Sequence, residues 1–279
     1  MVNQTIQAIT IAGSDSGGCA GLQADLKTFQ ARDVFGMNII VALTAQNTYG
    51  VQASMSVPTD FIEAQFDSIQ ADYHIRACKT GMLADSDQVK AVAKKLREVD
   101  FGPYVLDPVM IAKGGHALLT NRAVDTVRKE LIPLADVITP NIPEAETILN
   151  CNIRSIKDIL AAAVELQALG SKNVIIKGGH VATTLSSDYV LLEDGDSFWL
   201  NGPRIDTKNT HGTGDTFAAC ITAELAKGEP MKEAIQTARA YLQGALEDGI
   251  DVGHGHGPTN HWAKPSQNIT ITTEAMEEI

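Results

Sequence analysis

The chain has 279 residues, of which 44% are hydrophobic and 20% are charged, a composition typical of a folded globular protein. It carries 22 basic and 34 acidic residues, and the resulting formal charge of −12 disfavours nucleic acid and anionic membrane surfaces as partners. The charge does not exclude a small phosphorylated ligand, because a local site can oppose the field of the whole chain.

Cysteine usage and the amino-terminal residues indicate the compartment. The cysteines are scattered and form no C-x-x-C pair, so neither structural zinc nor a disulfide framework is expected. The first residues lack the basic and apolar regions of a secretory signal, and no run approaches the roughly 18 apolar residues of a membrane span. We therefore predict a soluble cytoplasmic protein with reduced cysteines.

Short apolar runs alternate with amphipathic stretches along most of the chain. The runs have the length and composition of strands buried on both faces of a parallel sheet. The predicted strands are Ala8–Ala12, Asn38–Leu43, Ile75–Thr80, Tyr104–Asp107, Val137–Thr139 and Val174–Lys177. The predicted helices between them are Leu22–Ala31, Thr59–Ile69, Ser86–Val99, Asn121–Leu131 and Ser155–Leu169.

The alternation changes in the last third of the chain. Tyr189–Leu192 and Ser197–Leu200 flank an acidic turn containing Gly195, which predicts a hairpin. Two helices then follow, from about Gly214 to Ala226 and from Met231 to Leu246. Strand–helix alternation implies right-handed crossovers, so we expect an α/β fold: a three-layer α/β/α sandwich with a mostly parallel central sheet. With no repeat or linker visible, residues 1–279 are predicted to form a single domain.

A glycine-rich loop, Gly13-Ser-Asp-Ser-Gly-Gly-Cys-Ala-Gly21, joins the first predicted strand to the first helix. It lies where ligands bind in open α/β sheets, outside the carboxyl end of a strand. It is neither a P-loop nor a dinucleotide fingerprint, since the spacing fits neither pattern. A tight turn without a ligand explains the loop equally well.

A second motif, Asn209-Thr-His-Gly-Thr-Gly-Asp-Thr216, leads directly into a helix. The first N–H groups of a helix have no partner within it and carry the positive end of its dipole, which suits an anion. Asp215 is either a first-turn carboxylate opposing that dipole or a general base for a substrate hydroxyl. The flanking glycines and threonines exceed what a cap requires and favour the base.

Gly212-Thr-Gly-Asp215 resembles the carboxyl-terminal signature of the ribokinase superfamily, in which a glycine-rich turn binds the anion and Asp is the base. Other segments narrow the resemblance to the hydroxymethylpyrimidine/phosphomethylpyrimidine kinases of thiamine biosynthesis. These segments are Ala12–Asp15, Gly21–Phe29, Leu43–Thr48, Lys79–Leu83, Leu106–Met110, Thr139–Ala145, Ile176–His180 and Val252–Pro258. The resemblance covers nearly the whole chain and implies the ribokinase-like fold, an ATP and Mg²⁺ requirement, and a homodimer.

The resemblance implies a role for individual residues on the substrate side. Gln46 would read an aminopyrimidine ring, since an amide offers one donor and one acceptor to the ring nitrogen and the exocyclic amine. The residues implied to hold or contact the substrate with it are Asp25, Gly13, Met82 and Val109. Without the resemblance, Gln46 would be interpreted as a polar strand end and Met82 as core.

On the nucleotide side, the resemblance places Lys177, Asn141 and Thr210 at the ATP phosphates. Glu144, in an N-x-x-E element with Asn141, would position Mg²⁺, and Asp107 at a strand end is a further metal candidate. Hard oxygen ligands are those Mg²⁺ prefers. The residues alone also allow Asn141 and Glu144 to be an ordinary helix start. The anion hole would be formed by Gly212, Thr213 and Gly214, with Asp215 as base.

One position departs from the family pattern, because these kinases usually have Cys where this chain has Asp215. A phosphate acceptor is ionised at neutral pH and needs no base, whereas a hydroxyl benefits from one. We therefore hypothesise that Asp215 favours phosphorylation of the alcohol over that of the monophosphate. Pyridoxal and sugar kinases of the superfamily have Asp there, so a pyridoxal or pyridoxine kinase is the alternative.

The histidines His254, His256 and His261 near the carboxyl terminus could suggest a metal site. Their alternation with glycine, and the lack of an organising carboxylate, favour a flexible loop instead. Cys19, in the first glycine-rich loop, is interpreted as a small packing residue rather than a reactive thiol.

Overall fold

The computed structural model describes residues 5–110, 120–178 and 184–276. The strands of these residues form one ten-stranded sheet. In chain order they are β1 (Gln7–Gly13), β2 (Phe35–Asn47), β3 (Gly50–Ser56), β4 (Ala77–Thr80), β5 (Tyr104–Leu106), β6 (Val137–Ile138), β7 (Asn173–Lys177), β8 (Leu185–Leu191), β9 (Ser197–Pro203) and β10 (Thr270–Thr272).

The order of strands across the sheet is β10-β9-β8-β7-β6-β5-β4-β1-β2-β3. The central strands, from β2 to β7 in this order, pair in parallel. The outer strands β3, β8, β9 and β10 pair antiparallel. The prediction of a mostly parallel sheet is therefore confirmed, and its carboxyl edge is where a ligand site is expected.

Helices cover both faces of the sheet. They are α1 (Gly21–Ala31), α2 (Thr59–Gln70), α3 (Ser86–Glu98), α4 (Asn121–Glu130), α5 (Ile142–Leu149), α6 (Ile156–Ala168), α7 (Thr213–Lys227) and α8 (Met231–Glu247), with a 3₁₀ turn at Ile132–Leu134. One core cluster packs α2 to α6 against the sheet, and another packs α1, α7 and α8 against the opposite face. The three-layer α/β/α architecture is confirmed.

Local signals account for most helix boundaries. Ser155 caps α6 by accepting a hydrogen bond from the Asp158 amide, and Asp85 caps α3 in the same way from two amides. The predicted helices match α1 to α4 and α6 to α8 to within about two residues at each end. The predicted hairpin is confirmed as β8 and β9, which pair antiparallel.

The strand β3 was not predicted. All of its residues are exposed, so the run has no alternation of buried and exposed positions to mark it as a strand. It forms because β2 continues past its predicted end to Asn47 and turns back on itself. β3 lies at one edge of the sheet.

A membrane-crossing helix is not found among the described residues, since none of their helices combines the required length and apolarity.

Candidate active site

The predicted site residues collect at the carboxyl edge of the parallel strands. Gly13 ends β1, Gln46 lies near the end of β2, and Lys177 ends β7. Asp107 immediately follows β5. Asn141 lies after β6 and just before α5. Because parallel strands share one carboxyl edge, residues far apart in the chain line one side of the sheet.

The glycine-rich turn before Asp215 opens α7. Gly212 is the N-cap of this helix and has a φ of +82°, a left-handed conformation that favours glycine. A Cβ at Gly212 would also lie 2.1 Å from the Cys19 carbonyl oxygen, so a larger residue does not fit against the first glycine-rich loop. The turn thus joins the two motifs, with Asp215 in the first turn of α7. The early N–H groups there lack helical partners and suit an anion.

A buried lysine that the sequence analysis missed lies behind Asp215. The Lys79 side chain is 0% exposed, and its Nζ lies 2.7 Å from Asp25 Oδ1 and 4.0 Å from Asp215 Oδ1. A Cβ at Gly81 would lie 3.5 Å from this Nζ and 3.9 Å from Asp215 Oδ1, so the glycine leaves that space open. The signal in the sequence was a lysine within the buried strand Ala77–Thr80.

Asp25 is fully buried rather than open to a ligand. It accepts hydrogen bonds from Lys79 Nζ at 2.7 Å and from Thr10 Oγ1 at 2.6 Å. Burial raises the pKa of Asp25 to about 7, against the opposing charge of Lys79. Burial alone would lower the pKa of Lys79, but Asp25, Asp215 and Asp107 outweigh it and hold that pKa above its usual value. Substrate contact by Asp25 stays a prediction.

A second charged cluster combines Asp107, Lys177 and Glu144. Asp107 is buried and accepts hydrogen bonds from Thr139 Oγ1 and from Lys177 Nζ, each at 3.2 Å. Burial and the nearby Asp107 charge raise the pKa of Glu144 to about 7, although Lys177 opposes this. A Cβ at Gly214 would lie 3.4 Å from both Asp107 Oδ2 and Lys177 Nζ. This cluster therefore borders the start of α7.

Asn141 and Glu144 form a capping box at the start of α5. The Asn141 side chain accepts from the Glu144 amide at 2.9 Å, and Glu144 Oε2 accepts from the Asn141 amide at 2.9 Å. The interpretation of this element as a helix start is confirmed. Any contact with Mg²⁺ or phosphate must use the remaining polar atoms, and these roles stay predictions.

Gln46 lies beside two further residues that the sequence analysis did not single out as functional. Its Nε2 is 3.0 Å from His211 Nε2, and that ring nitrogen is 3.5 Å from Asp15 Oδ2. Partial burial would raise the pKa of Asp15, but the hydrogen bond from His211 and those from backbone amides outweigh it and lower that pKa. Asp15 lies in the first glycine-rich motif and His211 in the second, so their positions in these motifs were the sequence signal that could have identified them.

The remaining predicted substrate and phosphate residues lie on the same edge. The Gly13 amide donates to the Met82 carbonyl at 3.2 Å, and a Cβ at Gly13 would lie 2.5 Å from Met82 Cε. The Val109 amide donates to the Asp107 carbonyl at 2.9 Å. Thr210 precedes His211 directly. Ligand contacts by these residues stay predictions.

The histidine-containing tail packs against the same region. The Gly255 and His256 amides donate to Thr48, at 3.1 Å to Oγ1 and 2.8 Å to the carbonyl oxygen. His254 and His256 are exposed, whereas His261 is buried. Among the described residues, no three His, Cys, Asp or Glu side chains converge as metal ligands. Gly179 and His180, which the family resemblance included, lie outside the described residues.

Cys19 is buried, and burial raises the pKa of its thiol. Because the reactive form of cysteine is the thiolate, this environment matches the predicted packing role.

Comparison with known proteins identifies the same family as the sequence motifs. A family model described as phosphomethylpyrimidine kinase matches residues 15–260. The chain is 54% identical over 260 residues to the hydroxymethylpyrimidine/phosphomethylpyrimidine kinase of Haemophilus influenzae, covering 92% of this chain and 97% of that protein.

Two solved structures are similar throughout. An ADP complex of Bacillus subtilis pyridoxal kinase has a TM-score of 0.87 and 38% identity, covering 93% of this chain and 98% of that one. A Staphylococcus aureus pyridoxal kinase with AMP-PCP and pyridoxal has a TM-score of 0.87 and 31% identity, covering 97% and 99%.

Proposed function

The chain belongs to the phosphomethylpyrimidine kinase family, and we propose that it uses ATP to phosphorylate 4-amino-5-hydroxymethyl-2-methylpyrimidine and then its monophosphate, for thiamine biosynthesis. The observation that carries the proposal is the position of Asp215. It lies in the first turn of α7, beside amides without helical partners, at the carboxyl edge of the sheet. A carboxylate and an anion hole at one helix start suit phosphoryl transfer to a hydroxyl.

In the first step, the hydroxyl oxygen of the substrate attacks the γ-phosphorus of ATP, and Asp215 accepts the proton of that hydroxyl. The amides of Gly212, Thr213 and Gly214 stabilise the charge on the transferred group, and ADP leaves. Catalysis then rests mainly on positioning and on charge stabilisation, as is usual for phosphoryl transfer. A positioned base typically contributes about 10² to 10⁴ in rate.

In the second step, the acceptor is the phosphate of the monophosphate product. This acceptor is already ionised at neutral pH, so the base has no proton to remove, and the Asp215 carboxylate repels it. The Lys79 ammonium, 4.0 Å from Asp215, offsets part of that repulsion. Asp215 therefore favours the alcohol step over the phosphate step.

The second charged cluster, Asp107, Lys177 and Glu144, binds the nucleotide. Lys177 meets the ATP phosphates, with Asn141 and Thr210 beside them. Asp107 and Glu144 fit Mg²⁺, because they are two buried carboxylates near one another and Lys177 only partly offsets their charge. When bound, the ion would neutralise charge on the phosphates. Mg²⁺ keeps several waters and uses few protein carboxylates, which matches this small donor set.

Substrate recognition uses the opposite end of the site. Gln46 pairs with the ring nitrogen and the exocyclic amine, and Met82 and Val109 pack on the ring. Gly13 admits the substrate close to the backbone, and Asp25 would help to hold the substrate from its buried position beside Lys79. The apposition of Gly13 and Met82 supports this arrangement.

The whole chain, residues 1–279, forms one kinase domain that works in the cytoplasm as a homodimer. The single sheet that joins β1 to β10 supports one domain. The edge strand β3 supports the dimer, since it exposes Val51 and Met55 and adjoins exposed Leu43 and Tyr49. An exposed apolar edge strand is a surface that another chain readily covers. The net charge of −12 disfavours nucleic acid and anionic membranes as partners.

The second candidate function is phosphorylation of pyridoxal or pyridoxine. It is favoured by the similarity to two solved pyridoxal kinases and by Asp215, which the family resemblance associates with that activity. The ring is similar in size to the aminopyrimidine. Gln46 favours the aminopyrimidine because of its paired donor and acceptor.

A coupled ADP-release assay with four acceptors separates these functions. The acceptors are hydroxymethylpyrimidine, its monophosphate, pyridoxal and pyridoxine, each with ATP and Mg²⁺. We expect the highest kcat/KM with hydroxymethylpyrimidine, and Gln46→Ala should raise its KM selectively. A much higher kcat/KM for pyridoxal would reject the proposal.

A further inference from the structure

The terminal amide of Gln46 has a neighbour that controls its orientation. Its Nε2 lies 3.0 Å from Nε2 of His211. An imidazole nitrogen either carries a proton and donates, or has a lone pair and accepts. A donating nitrogen requires the amide oxygen of Gln46 to face it, whereas an accepting nitrogen requires the amide NH₂. Each state of His211 therefore admits one orientation of the Gln46 amide.

The ring nitrogen of His211 that faces Gln46 also faces a carboxylate. Its Nε2 lies 3.5 Å from Asp15 Oδ2. Asp15 is anchored in turn by three backbone amides of the first glycine-rich loop, at 2.8 to 2.9 Å. The His211 amide donates to the Gly257 carbonyl at 3.0 Å, which fixes its backbone against the tail. Since a carboxylate can only accept, Asp15 favours the His211 tautomer with its proton on Nε2, and that nitrogen requires the amide oxygen of Gln46 to face it.

The orientation of this amide decides which rings it can read. A 4-aminopyrimidine presents an acceptor at N3 and a donor at the amine. The corresponding 4-oxo ring presents the reverse, a donor at N3 and an acceptor at the oxygen. An amide that turns freely pairs with both rings, whereas an amide held in one orientation leaves unpaired polar groups against one of them, which is costly.

Resting on the proposed function, we infer that His211, backed by Asp15, is a specificity-determining positioning residue. It holds the Gln46 amide in the orientation that accepts an amino group on the ring and rejects an oxo group. His211 thus acts through Gln46 and takes no part in the transfer of the phosphoryl group.

The test compares kcat/KM for hydroxymethylpyrimidine with that for its 4-oxo analogue in wild type and His211→Phe. Phenylalanine keeps a ring of similar size but forms no hydrogen bond to Gln46. We expect the amino-to-oxo ratio to fall by about tenfold or more, mainly through the two KM values. A general disturbance of the neighbouring anion hole would lower both rates together and leave the ratio unchanged.

His211→Gln provides a second variant that retains a polar side chain. Its amide can turn to present either group, so the ratio should fall here too. His74→Phe is the matched control, because His74 is exposed in the loop that precedes β4, away from the carboxyl edge. It should keep the wild-type ratio.

The outcomes separate this role from the proposed function. A wild-type ratio in either His211 variant, with a folded circular dichroism spectrum, would overturn the role of His211 while leaving the kinase activity intact. A wild-type protein that releases no ADP with hydroxymethylpyrimidine would overturn the proposed function, and the positioning role with it.

Discussion

Replacement of Lys79 by methionine tests how much the buried ion pair between Lys79 and Asp25 contributes to the stability of the protein. The two side chains, Lys79 and Asp25, are each 0% exposed, and their charged atoms lie 2.7 Å apart. Lys79→Met removes the only positive charge in contact with Asp25 among the described residues and leaves Thr10 as its remaining hydrogen-bond partner.

Breaking a buried pair from one side costs about 3 to 5 kcal/mol, because the remaining Asp25 carboxyl either stays charged in the interior or takes up a proton at a pH where it would be ionised in water. We therefore expect Lys79→Met to lower the free energy of unfolding at pH 7 by that amount. The double variant Lys79→Met/Asp25→Asn should recover most of the loss, since it removes the charge and keeps an acceptor for the Thr10 hydroxyl. Urea denaturation followed by circular dichroism measures both.

An exposed ion pair of similar length is the matched control. Lys94 Nζ lies 2.8 Å from Glu63 Oε2, but these side chains are 55% and 31% exposed. Water and salt screen such a pair, so Lys94→Met should unfold at the wild-type urea concentration. The reasoning is refuted if Lys79→Met is as stable as Lys94→Met, because burial would then not decide the cost of losing the lysine.

Three further predictions concern the start of α7 and its surroundings. Asp215→Asn should lower kcat for the alcohol by about 10² to 10⁴, and Asp215→Cys should lower the alcohol step more than the phosphate step; equal effects on both steps would contradict the assigned base. Gly212→Ala should cost about 1 to 3 kcal/mol in urea unfolding, since its φ is +82° and the added Cβ would meet the Cys19 carbonyl; wild-type stability would contradict this. Burial lowers the pKa of His261 to about 4, so its contribution to stability is present above the unfolded value of about 6.5. As the pH falls from there to about 4, roughly 3 kcal/mol should be lost, and His261→Gln should flatten this loss in urea titrations.

The local parts of the fold could be predicted because their signals are short in sequence. A buried parallel strand is marked by its own apolar run, and a helix by its own period and cap. The turn before Asp215 is equally local, since glycine at Gly212 and the apolar residues that follow mark the start of α7. Asn141 and Glu144 were local too: the capping box confirms the helix start, and their roles toward Mg²⁺ and phosphate stay predictions.

The strand β3 and residue Lys79 could not be placed from local signals. β3 has no buried face, and only its pairing with β2 makes it a strand. Lys79 forms buried ion pairs only because Asp25 and Asp215, which are distant in sequence, lie beside its ammonium group. Neither the pairing of β3 with β2 nor the ion pairs of Lys79 can be recognised from the residues next to them in the sequence.

The sequence by itself determined the chemistry available to this protein: an acidic chain with two glycine-rich turns, a carboxylate at a helix start and a strand–helix alternation that builds a parallel sheet. Only the tertiary structure decided which side chains act on one another. His211 meets Gln46 and Asp15 because the carboxyl edge gathers segments separated by up to 196 residues, from position 15 to position 211. Local preference sets each element, but the burial and pairing of charges are set where elements meet.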